Sequence, residues 1–100
     1  MSKNPLKKME SQCVDVAELL KSLSHPQRLM ILGHLTQGEK TVSQLQELCD
    51  ISQSQLSQYL NRMRAEGLVK KSRQGKFQIY SIDREEVFSL INAIQKIFCC

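Results

Sequence analysis

The stretch "SQSQLSQYLNRMRAEG", residues 52–67, decides the fold. Placed at helical spacing, Leu56, Tyr59, Leu60 and Met63 fall on one side, and Ser54, Ser57, Gln58, Asn61 and Arg62 on the other. Ser52 precedes the first turn as a cap, and Gly67 follows the last as a C-terminal glycine. The outer face thus carries short, uncharged hydrogen-bonding side chains with an arginine at its far end. A merely solvated face would carry Glu and Lys, as other parts of this chain do. Gln and Asn pair bidentately with adenine, Ser reaches base edges or phosphate, and Arg suits guanine or phosphate. This is the pattern of a helix that reads the major groove of double-stranded DNA. Its expected contacts are Ser54, Ser57, Gln58, Asn61 and Arg62, with Ser52 and Gln53 at the helix start.

On the N-terminal side, Asp50-Ile51-Ser52 forms a tight break. Before it, "VSQLQELC" (42–49) reads as a short helix capped by Thr41, with Val42, Leu45 and Leu48 on one face. On the C-terminal side the period changes. "LVKKSRQGKFQIYSI" (68–82) reads as a β-hairpin with a turn at Ser72-Arg73-Gln74-Gly75 and a basic tip. Gly75 supplies the positive φ the turn needs, and Phe77 and Tyr80 are assigned to the hairpin's own packing. Lys70, Lys71, Arg73 and Lys76 are expected against phosphates or in the minor groove, supplying affinity and salt dependence rather than sequence choice. From Arg62 to Lys76 lie six basic residues and one acidic, a net +5, so the rest of a chain of net charge +4 sums to −1. A basic patch on a balanced protein is the footprint of a polyanion partner.

Further out, Met9, Cys13, Val16, Ala17, Leu20 and Leu23 recur at helical steps and predict a first amphipathic helix. "SHPQRLMILGHL" (24–35) predicts a second, with Ser24 as cap, Pro26 in the first turn and an end at Gln37-Gly38. After the hairpin, Asp83 is expected to cap a final helix with Val87, Leu90, Ile91, Ile94, Ile97 and Phe98 in one stripe. The fold class is therefore mainly α with a β-hairpin wing, a winged helix-turn-helix in the order α-α-α-α-β-β-α. One hundred residues form a single domain, 1–100, with residues 1–8 as a flexible lead-in. The first and last helices carry more apolar surface than so small a monomer covers, which predicts a homodimer joined through them.

The arrangement "LKSLSHPQRLMILGHL…VSQLQELCDISQSQLSQYLNRMRAEGLVKKSRQGKFQIYSI" resembles the ArsR/SmtB family of bacterial winged-helix repressors. The likeness runs from about Val14 to Cys99. It implies a homodimeric repressor that binds an imperfect palindrome and is released by an inducer. The family's metal-thiolate site on the third helix falls here on Thr41 and Ser43, which are not soft-metal ligands. Its last-helix zinc site falls on Asp83, Glu85, Lys96 and Cys99, where the lysine is disqualifying. Neither His25 nor His34 has a ligand partner at a useful spacing. The ending "IQKIFCC" is similar to the branch that includes HlyU, BigR and SqrR, in which a last-helix cysteine follows an aromatic. Cys99 matches that position, whereas Gly33 stands at the position of its partner cysteine.

Cys99 and Cys100 are poor disulfide partners for each other, because adjacent Cα atoms lie about 3.8 Å apart, below the usual disulfide range. Cys13, on the helix expected to pack on the last, is the alternative partner, and Cys49 is expected as a buried small hydrophobe. Three readings of the switch stay open: a thiol sensor on Cys99 with Cys13 or Cys100, a soft-metal or arsenite site on Cys13, Cys99 and Cys100, and a regulator with no thiol sensor. No cofactor is expected.

An enzyme is disfavoured, since the chain has no Cys-x-x-Cys, no glycine-rich phosphate loop and no carboxylate or histidine constellation. RNA binding is disfavoured by the scarcity of aromatics in the basic region. A winged helix used only for protein contact is the alternative outside DNA binding. No run is long and apolar enough to span a membrane, and the basic start "MSKNPLKKME" lacks an apolar signal core. The expected location is the cytoplasm, on the bacterial nucleoid, with the cysteines as thiols.

Overall fold

The computed structural model describes residues 5–99 and orders them as α1 (Pro5–Glu10), α2 (Cys13–Leu23), α3 (Pro26–Leu35), β1 (Lys40–Thr41), α4 (Val42–Cys49), α5 (Gln53–Ala65), β2 (Val69–Gln74), β3 (Phe77–Ile82) and α6 (Glu85–Cys99). Local chemistry sets most of these boundaries. The Thr41 hydroxyl accepts from the Gln44 backbone N–H at 3.2 Å, and the Gln44 side chain accepts from the Thr41 N–H at 2.9 Å. This reciprocal pair closes the first turn of α4. The helix ends at Asp50, which takes a left-handed φ of 50°, a region Asp visits more readily than most residues because short polar side chains of its type can hydrogen-bond to the local backbone. Two residues later Ser52 caps α5, accepting from Gln55 N–H at 3.1 Å.

α5 ends in a Schellman arrangement. Gly67, at φ 78°, donates to Arg64 O at 3.1 Å, and Leu68 donates to Met63 O at 2.9 Å. Leu68 and Met63 are both buried in the same apolar cluster, at the two positions whose apolar pairing accompanies the motif. Leu56, Leu60 and Met63 turn into the core beside Ile31, Leu32, Leu45 and Val87, with Tyr59 packed at the edge. At roughly 1.5–3 kcal/mol for each fully buried large side chain, that inner face is what holds α5 in orientation.

Several sequence-based expectations need correction. The first helix is two: Gln12 donates to Met9 O at 2.9 Å and Ser11 Oγ to Lys8 O at 2.8 Å, turning the chain between α1 and α2. The stretch assigned to a flexible lead-in is helical from Pro5. Ser24 does not cap α3. Its hydroxyl donates back to Lys21 O at 2.8 Å and closes α2, leaving the extended His25 as N-cap. α6 starts at Glu85, and its first turn hangs on the Arg84 carbonyl rather than on a cap at Asp83.

The sheet has three strands in the order β1-β3-β2, all antiparallel. β1, unforeseen in the sequence, pairs Lys40 with Tyr80 and Thr41 with Ile79. It ties the residue that caps α4 to the base of the wing. The hairpin turn lies two residues further on than expected: Gln74 pairs with Phe77, so only Gly75 and Lys76 bridge the strands. Gly75 has φ 63° and Lys76 does not share the positive sign, the backbone pattern of a type II′ turn with glycine at its first central position. Val69, Ile79 and Tyr80 anchor the base of the wing, while Lys70 to Gln74, Phe77 and Gln78 are exposed.

The terminal helices are apolar outside as well as inside. On α6, Val87 and Ile91 are buried and Leu90 and Ile94 pack beside them, but Ile97 is 69% and Phe98 76% exposed. On α2 only Leu23 is fully buried; Val14 and Leu20 face outward with the exposed Cys13 and Ala17.

Candidate nucleic-acid interface

The outer face of α5 presents two rows, each at four-residue spacing. Gln53, Ser57 and Asn61 form one, Ser54, Gln58 and Arg62 the other; all are exposed except Ser57, which is half-buried. The first row faces the wing across a groove whose other walls are Lys71, Lys76, Phe77, Gln78 and Tyr80, with Thr41 to Ser43 at its end. A second concavity runs along the other side past Gln55, Gln58, Asn61 and Arg62. Asn61 belongs to both. Hydrogen-bonding side chains and cations are therefore gathered on one surface by elements that the core, β1 and the Schellman turn hold in fixed relation.

Not every expected contact lies in that groove. The Ser52 oxygen is committed to capping, and its hydroxyl leans toward Gln55 Oε1 at 3.4 Å. Arg73 folds back to the tip, its Nε donating to Gly75 O at 3.2 Å. Lys70 pairs with Ser81 and so points to the opposite face of the hairpin from Lys71. Of the wing cations, Lys71 and Lys76 line the groove. Phe77, expected inside, is 57% exposed and lines it with them.

Arg28 was overlooked in the sequence. It shares the stripe of Ile31, Leu32 and Leu35 and is 3% exposed. Its Nη1 donates to Ser22 O at 2.9 Å and to Glu66 Oε1 at 2.8 Å. One guanidinium thereby joins the ends of α2 and α5 to α3. The legible signal was an arginine at the i, i+3, i+4, i+7 spacing of an otherwise apolar face.

The thiols separate. Cys99 lines a largely apolar cavity of about 240 Å³ between α3 and α6, with Leu29, Met30, Gly33, His34, Gln37, Ile91, Ile94 and Gln95. Gly33 and Cys99 thus share one cavity. Gln95 Nε2 donates to Gly33 O at 3.3 Å and would meet a Cβ at Gly33 at 3.0 Å. Cys13, the suggested partner, does not line this cavity, and Cys100 lies outside the described residues. Cys49 is half-buried, and burial pushes its thiol pKa up. Among the described residues no three His, Cys, Asp or Glu side chains are grouped to hold a metal ion, and no helix is long and apolar enough to cross a membrane.

A helix-turn-helix formed by α4 and α5, followed by a basic two-stranded wing, defines a winged helix-turn-helix DNA-binding transcriptional regulator. The family model described as "Bacterial regulatory protein, arsR family" matches residues 25–71. The chain is 42% identical over 95 residues to the biofilm growth-associated repressor of Agrobacterium fabrum, spanning 95% of this chain and 81% of that protein. The crystal structure of the transcriptional repressor BigR from Xylella fastidiosa superposes with a TM-score of 0.87 at 38% identity, covering 100% of this chain and 99% of that one. A homodimeric winged helix-turn-helix DNA-binding domain from Mycobacterium bovis gives a TM-score of 0.76 at 29% identity, over 97% and 86% of the two chains. The chain belongs to the ArsR family.

Proposed function

We propose that this protein is a homodimeric repressor that reads an imperfect palindrome with α5 and its wing, and that modification of Cys99 releases it. The observation that carries the DNA-contacting part is the groove in which Gln53, Ser57 and Asn61 face Lys71 and Lys76. Neutral amides and hydroxyls on the helix choose the bases, and the lysines hold phosphates. It acts by binding and not by catalysis, in the cytoplasm on the nucleoid. Two copies joined through their first and last helices would cover Val14, Leu20, Ile97 and Phe98, which each protomer leaves exposed. A closed two-fold pair also matches a palindromic site. The homodimeric relative from Mycobacterium bovis supports the pairing, and the repressor BigR supports repression.

For the switch, Cys99 at the α3–α6 cavity supports attack on a persulfide or oxidant, since a modified sulfur there would press on the seam between those helices. Gly33, lacking a thiol in that cavity, favours a second reading in which the regulator has no thiol sensor. A soft-metal site would need Cys13 and Cys100 to join Cys99.

Titrating operator and unrelated duplexes over a range of salt concentrations tests the DNA-contacting assignment. Asn61→Ala should cost about 1–3 kcal/mol on the operator and relax base preference. Lys71→Ala should weaken all duplexes alike and lower the salt slope by about one. If the two variants lost affinity in the same uniform way, α5 would not be the reading helix.

A further inference from the structure

We infer that Phe77 is a DNA-contacting residue, packing its ring on the apolar faces of deoxyriboses that wall the minor groove beside the wing. The inference rests on the reading of α5 and the wing as the DNA-contacting surface, and adds to it a contact that is not electrostatic.

A single exposed aromatic is by itself ordinary. Phe77 is distinguished by its place. The hairpin's apolar packing stops at Ile79 and Tyr80; every β2 residue beyond Val69 is exposed, as are Phe77 and Gln78. The ring, 57% exposed, therefore stands past the end of the core, at the pair that closes the two-residue turn. It also lines the groove walled by Ser57, Asn61, Lys71 and Lys76, where the fold gathers base-reading and phosphate-holding groups.

Its neighbour fits the same target. Lys76 Nζ lies 6.0 Å from the ring centroid, at the outer reach of a cation–π contact. Adjacent residues thus present a cation and an apolar plate at one tip. A sugar–phosphate backbone offers the complement side by side, an anionic oxygen next to a deoxyribose whose ring carbons are apolar. A wing meant only to supply charge would be served by Lys71 and Lys76, with a polar residue at 77. The polar turn needs only Gly75 for its geometry.

The discriminating property is salt. Releasing counterions gives lysine contacts a steep salt dependence, whereas apolar burial has none of that origin. Operator affinity would be measured for wild type, Phe77→Ala, Phe77→Leu and Lys71→Ala at several salt concentrations, with thermal melting of each free protein as a folding control. Phe77→Ala is expected to bind about tenfold more weakly, equivalent to ~1.4 kcal/mol, at every salt concentration and with an unchanged slope. Phe77→Leu should recover most of that loss, and Lys71→Ala should lower the slope. Phe77→Ala binding within twofold of wild type, while Lys71→Ala is still impaired, would overturn the inference; so would a slope change equal to that of Lys71→Ala. If Lys71→Ala and Asn61→Ala were both without effect, the DNA-contacting surface itself would be misassigned and the role of Phe77 would fall with it.

Discussion

Arg28 and Glu66, 38 positions apart in the sequence, meet at 2.8 Å, the guanidinium of one donating to the carboxylate of the other. The arginine is enclosed and the glutamate opens to solvent, their side chains being 4% and 38% exposed. The pair ties α3 to the residue that ends α5, where the helix hands over to the wing. Arg28 Nε is buried without a hydrogen-bond partner, so the guanidinium depends on Ser22 O and Glu66 for its compensation.

Removing one side of this pair should cost more than an exposed ion pair does. Glu66→Ala leaves a buried cation with only a carbonyl, and should destabilise the fold by about 1–3 kcal/mol. Arg28→Met, which removes the charge and keeps much of the volume, should cost less. Urea unfolding of both variants checks the order. Equal stability of Glu66→Ala and wild type would mean that solvent screening has taken the place of the bond.

The switch is testable through affinity alone. Treating the wild type with a persulfide donor or peroxide should weaken operator binding by tenfold or more and reverse on reduction, while Cys99→Ser should be indifferent to both. The same loss in wild type and variant would move the sensor away from Cys99. No loss in either would favour the reading without a thiol sensor.

The half-buried thiol of Cys49 should be slow. Burial disfavours the charged thiolate of Cys49, raises its pKa and so lowers its reactive fraction at any given pH. Mass spectrometry during alkylation should find the exposed Cys13 and Cys99 labelled well before Cys49. The lag should shrink as pH rises and Cys49 ionises, or when the protein is unfolded. Labelling of Cys49 at the same rate in the native state would contradict its enclosure.

How much of this was legible depended on whether a residue announced its job locally. Thr41 and Ser52 did: each is a hydroxyl just ahead of an apolar helical repeat, and each caps as its position implies. Ser24 looked the same and went the other way, because its hydroxyl found the carbonyl of Lys21 behind it. The two α5 faces were readable because the helical period is long enough to average over exceptions. The wing gave periodicity little to work on. Nine consecutive exposed residues, Lys70 to Gln78, carry no alternation of burial, so periodicity places the turn two residues early and assigns Phe77 to the hairpin's packing. β1 is two residues long and exists through its pairing with β3, a partner almost forty positions away. Arg28 was passed over because its partner is equally remote.

Leu68 occupies the corner where the chain leaves α5 for the wing. Its N–H is held by Met63 O at 2.9 Å and its carbonyl by Asp83 N–H at 3.0 Å, and the next residue, Val69, is already in register with Ile82. Helix, outgoing strand and returning strand are therefore clamped at a single residue, with no slack between them. The molecule has the construction of a calliper ground to one setting. On the proposed DNA-contacting reading, the gap between its two jaws is set by the fold, and a duplex would be selected by whether its groove has that gauge.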